Sequence, residues 1–138
     1  MSPSTSLPVR VIVVGPGALE AALFAEPGLR VVRAPAIFDA IGELCDATDP
    51  DFGRPAIVVV SSEVERTDPP ELFTRGLRLA DPSIKVIRAE TEPRGDRPEA
   101  SPAHESGYDS SVPRSRAAAE VRRLAGEIRA AAAPAARA

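Results

Sequence analysis

The residues best placed to do chemistry are Ser61, Ser62 and Glu63, two hydroxyls and an acid that end the apolar run Pro55-Ala56-Ile57-Val58-Val59-Val60. An unbroken run of small and β-branched apolar residues suits a parallel strand covered on both faces, because a strand with one face in water alternates. In open α/β sheets, ligands and reacting groups gather at the carboxyl ends of such strands. Ser61 to Glu63 therefore mark where a site belongs, and they offer less chemistry than that edge usually carries.

Other reactive side chains stand alone. Cys45 is the sole cysteine and His104 the sole histidine, so no disulfide can close within the chain. With no second thiol or imidazole nearby to activate it or share a metal, Cys45 reads as a small hydrophobe on a buried helix stripe. Asp46, Asp49 and Asp51 crowd one loop, but the ligand series and the glycine of a cation loop are missing. The turn Val14-Gly15-Pro16-Gly17 follows a predicted strand and precedes a predicted helix. A glycine-rich turn there can hold phosphate on helix N–H groups. Glu20 replaces the third glycine of the dinucleotide fingerprint and Pro16 removes one amide, so a nucleotide-binding Rossmann-like domain is the alternative function and a tight turn the simpler reading. No metal or cofactor is expected.

The elements that position these residues alternate strand and helix. Val9–Val14 and Leu29–Arg33 read as strands, the second alternating as a sheet edge does. Ala18, Leu19, Ala22 and Leu23 fall at helical spacing between them. A helix opens at Ala34-Pro35 with an apolar stripe of Ile37, Phe38, Ile41, Leu44 and Cys45. After the central strand, Asp68 is the expected cap of a helix with Pro69 in its first turn, and Leu72, Phe73, Gly76, Leu77 and Ala80 are expected to face the sheet. Ile84–Ala89 gives a fourth strand. The fifth is expected within 107–114, and Ser115 is the expected cap of a last helix with Val121, Leu124, Ala125, Ile128 and Ala132 on one face. Such alternation predicts an α/β domain with right-handed parallel crossovers.

Two stretches break the alternation. Residues 91–106 hold three prolines and no aliphatic side chain larger than alanine, so a flexible loop is predicted inside the domain, with His104 in it solvated. Residues 1–8 read as a disordered leader and 131–138 as a linker-like tail.

At 138 residues and 43% hydrophobic, with aromatics at 4%, the chain has room for one domain whose core rests on Val, Ile, Leu and Ala. The heavy use of Arg, Ala and Pro suits a GC-rich bacterial genome. A net charge of −3 gives no general affinity for nucleic acid. Without an 18-residue apolar run or a charged-then-apolar leader, a cytoplasmic protein with no membrane contact is expected. Charge is uneven: six arginines against Glu120 and Glu127 make residues 113–138 +4, leaving −7 for the remainder.

The order of elements over about residues 9–130 resembles the receiver domain of bacterial two-component response regulators. Val11–Val14 is similar to that family's first strand, Pro55–Val60 to its third, Ser83–Ile87 to its fourth, and Gly107-Tyr108-Asp109 to the Gly-Ala-Asp before its fifth. The resemblance implies a flavodoxin-like, doubly wound five-stranded parallel sheet, here with the helix between strands four and five replaced by the Pro-rich loop. It also implies a phosphoacceptor site, whose positions here are degenerate. Gly15 and Pro16 stand where the family has its magnesium-binding acids, and Ser61 where it has the acceptor aspartate. Glu90 stands where it has a hydroxyl, and Arg114 where it has a lysine, followed by Ser115 instead of proline. A phosphorylatable site with a shifted aspartate would need Asp68 or Asp109, and both read as cap or turn residues. Phosphoryl transfer rests on a positioned metal and electrostatic stabilisation. The implied function is therefore a phosphorylation-independent, non-enzymatic signalling module that contacts a protein partner, a fused effector or a second copy of itself. The expected interaction surface is Tyr108, Arg114, Arg116 and Arg123, because tyrosine and arginine are favoured at interface hot spots.

Overall fold

The computed structural model of the chain describes residues 8–15, 23, 25–90 and 107–137, with side chains in the last helix as far as Ala131. The first predicted helix around Ala18–Ala22, most of the leader and the 91–106 loop lie outside the described residues.

Five strands form one sheet: β1 (Val9–Val14), β2 (Leu29–Ala34), β3 (Ala56–Ser61), β4 (Lys85–Glu90) and β5 (Ser110–Pro113). Every pairing is parallel and the order is β2-β1-β3-β4-β5. The most apolar runs become the inner strands β1 and β3, buried at every position, while the alternating run becomes the edge strand β2. The pleat sends successive side chains to opposite faces. Val11, Val13, Ile57, Val59 and Ile87 pack under α3 (Arg114–Arg137), against Ala117, Val121, Leu124 and Ala125. Ile12, Val14, Val58, Val60 and Val86 pack under α1 (Ile37–Cys45) and α2 (Pro70–Ala80), against Ala40, Leu44, Phe73 and Leu77.

Helix faces depart from expectation in specific ways. The α1 stripe that meets the sheet is Ile37, Ala40 and Leu44, and both Phe38 and Cys45 are in water. Each lies about 100° around the helix from a buried neighbour, since 3.6 residues make a turn. Likewise Leu72 is exposed, and Phe73, Thr74 and Leu77 are the buried residues of α2. Helix α2 starts at Pro70, with Pro69 as an extended cap and no side-chain bond from Asp68. A residue before proline is pushed out of the helical region, so Pro69 cannot take the first helical position. Ser115 is the second residue of α3, not its cap, and α3 runs on to Arg137, so the stretch read as a linker is helical. Among the described residues no helix is long and apolar enough to cross a membrane.

Candidate functional site at the carboxyl edge of the sheet

Strand register brings the four described positions of the implied acceptor site to one edge. Gly15 follows Val14, which pairs with Val60; Ser61 pairs with Ala89; and Glu90 pairs with Pro113, immediately before Arg114. Pro16 lies outside the described residues. Being on one edge does not make these side chains converge. Ser61 and Ala89 share a face of the sheet, so Glu90, the next residue, belongs to the other face.

At the end of β3 the chain turns straight into a 3₁₀ helix, Ser62–Arg66, capped by Ser61. The Ser61 Oγ accepts the Glu63 N–H at 3.2 Å and is fully buried. Gly15 has φ of +88°, and a Cβ there would sit 2.9 Å from both Ser61 Cβ and Val64 Cγ2. The turn after β1 thus begins in direct contact with the end of β3. That approach is the use of Gly15.

On the other face Glu65, carried by the 3₁₀ helix, meets Arg88 from β4. Arg88 Nε and Nη2 donate to Glu65 Oε2 and Oε1 at 2.7 and 3.3 Å, a two-pronged pair. Arg88 Nη1 also donates to Glu90 and, at 3.2 Å, to Ser111 Oγ. The Tyr108 hydroxyl donates to Glu65 Oε2 at 2.5 Å. Burial alone would lower the pKa of Arg88, but the bonds and charges of Glu65 and Glu90 together outweigh it and raise the value. Burial first, and the Glu65 carboxylate second, push the Tyr108 phenol far up. Both groups therefore keep their protons, and the cluster is a fixed ionic network. The sequence signal for it is the alternation Val86-Arg88-Glu90 on one face of a strand: charges on a half-buried strand face need partners.

Gly107-Tyr108-Asp109 forms a clamp between α2 and β4. The Asp109 amide donates to the Val86 carbonyl at 2.8 Å, and its Oδ2 accepts both the Val86 N–H at 2.7 Å and Arg78 Nη2 at 2.8 Å. Tyr108 is 3% exposed, with its ring edge-on to Phe73 at a centroid distance of 6.1 Å. It is therefore core rather than interaction surface, which corrects the expectation. Arg114 and Arg116 are exposed at the start of α3. Arg123 is exposed and paired along its own helix, with Glu120 and with Glu127 at 2.6 Å.

Of the three acids before β3, Asp49 and Asp51 are held by guanidinium groups, while Asp46 accepts from the Thr48 N–H and hydroxyl at 3.0 and 2.6 Å. Arg30 binds Asp49 at 2.6 Å and Asp51 at 2.8 Å, and Arg10 reaches Asp49 at 3.5 Å and the Glu43 carbonyl at 3.3 Å. Arg10 sits inside β1 and is 1% exposed, with Nε and Nη2 lacking a partner among the described residues. This network lies at the amino end of the strands, away from Ser61. Among the described residues there is no cluster of His, Cys, Asp and Glu able to hold a metal ion.

Comparison of the chain with known protein families, with curated proteins and with solved structures finds no match in any of the three.

Proposed function

We propose that this protein is a degenerate, receiver-like domain of flavodoxin-like fold that acts through protein contact without being phosphorylated, and so regulates a fused or separate effector. The strand order β2-β1-β3-β4-β5 is that of flavodoxin-like sheets. The observation that carries the reading is the content of the carboxyl edge. Where a receiver needs an acceptor carboxylate this chain has Ser61, whose hydroxyl cannot form an acyl phosphate and is used as a cap. Where the first strand should deliver a metal-binding acid it has Gly15 pressed on Ser61. The acids close by, Glu65 and Glu90, are bonded to Arg88. A phosphoryl group would arrive without a metal or a nucleophile, the two things on which its transfer depends.

Contact with the partner is assigned to the start of α3. Arg114 and Arg116 are exposed there on the basic end of an acidic chain, which suits an acidic protein surface. The test of the reading is incubation with acetyl phosphate and Mg²⁺ followed by intact mass. No change is expected, and gain of a hydroxylamine-labile phosphoryl group overturns it.

A further inference from the structure

Three large apolar side chains stand in water on neighbouring helices: Phe38 at 85% exposure on α1, and Leu72 at 58% and Leu79 at 79% on α2. Scattered singly, such residues need no explanation. These are not scattered. A Cβ on Gly76 would lie 3.3 Å from Ile41 Cδ1, so the two helices touch at that level. Both helices return against parallel strands and therefore run in the same direction. Phe38 lies a turn before Ile41 and Leu72 a turn before Gly76, while Cys45 and Leu79 lie about a turn beyond. The result is one apolar strip along the groove between α1 and α2, with Cys45 exposed on it.

Charge flanks the strip unequally. On α1 the charged residues are both acids, Asp39 and Glu43, four apart on the flank away from α2. On α2 they are Arg75 and Arg78 against Glu71, and Arg78 is engaged with Asp109, leaving Arg75 exposed beside Leu72 and Leu79. The apolar strip thus has an acidic side and a basic side.

We propose that a second copy of this chain docks on this strip, about a two-fold axis running along the groove. That axis lays α1 of one copy over α2 of the other. Phe38 then meets the partner copy's leucines, and Arg75 faces the partner copy's Asp39 and Glu43, twice over by symmetry. A two-fold axis across the helices sets acid on acid, so charge selects the first arrangement. An isologous contact needs a self-complementary patch, and this one supplies both halves. This inference is independent of whether the domain can be phosphorylated.

Sedimentation equilibrium from micromolar to millimolar protein tests it. A shift toward twice the monomer mass is expected. Leu79→Glu should weaken the dimer at least tenfold with an unchanged melting temperature, and Phe38→Ser is the second variant should the first misfold. Glu43→Arg and Arg75→Glu should each weaken it, and the two together should restore it. A monomer at every concentration, with the strip left to a different protein, overturns the proposal. So does a dimer insensitive to both apolar variants, or a double charge variant no tighter than the singles.

Discussion

The Tyr108 hydroxyl donates to Glu65 Oε2 at 2.5 Å while its ring lies edge-on to Phe73, so one side chain ties the 3₁₀ helix after β3 to the segment entering β5. It does so inside the core, beneath the edge where the resemblance places a phosphoryl site.

Tyr108 is the single tyrosine, so tyrosinate absorbance reports this group alone. Its pKa is raised in the folded state, first by burial and then by Glu65. The folded chain holds the phenolic proton after the unfolded chain has released it at about pH 10, so this contribution is full below that pH and is lost as pH rises above it. The expected result is a tyrosinate signal that appears only with loss of circular dichroism. Ordinary titration of the native protein near pH 10 would contradict the buried placement.

Tyr108→Phe keeps the ring contact and removes the hydrogen bond to a carboxylate, at an expected cost of about 1.5–3 kcal/mol. Urea denaturation measures it. A cost near zero would mean that Glu65 is fully satisfied by Arg88.

Arg88→Met leaves Glu65 and Glu90 partly buried without their shared cation. Breaking a fully buried pair costs about 3–5 kcal/mol, and partial exposure discounts this to about 2–3. Arg88→Met with Glu65→Gln is expected to be less unstable than Arg88→Met alone. A double-mutant cycle showing no coupling would contradict the network.

Asp49→Ala is expected to cost about 3 kcal/mol or more, since Arg10 would stay buried without its carboxylate. Arg10→Met should cost less, because Asp49 keeps Arg30 and the Asp51 N–H. Burial works to raise the Asp49 pKa, but those two bonds win and hold it low. Its stabilisation is therefore present above about pH 4 and lost as pH falls below that value, a dependence that Asp49→Asn should flatten.

Gly107 has φ of +94°, and a Cβ there would lie 2.1 Å from Thr74 Oγ1. Gly107→Ala is expected to cost about 3 kcal/mol, part from the backbone and part from the clash. Adding Thr74→Ala should recover some of the second part, since it removes Oγ1 but leaves the residue-74 Cβ 2.8 Å away. An unchanged urea midpoint in the single variant would show that the clamp can shift.

Strand positions were legible in the chain because central parallel strands are covered on both faces, and Val9–Val14 and Ala56–Val60 are apolar at nearly every position. The edge placement of β2 was legible too, from its alternation. Helix faces were legible only in part. A stripe of five candidates on α1 exceeds what one narrow face can bury, and only the packing against Ile12 and Val58 decides that Ala40 is in and that Phe38 and Cys45 are out. The burial of Tyr108 and the meetings of Glu65 with Arg88 and of Arg10 with Asp49 join residues 20 or more positions apart. Local sequence says that such charges need partners, but the partner is chosen by which strands lie side by side. The tertiary structure makes that choice.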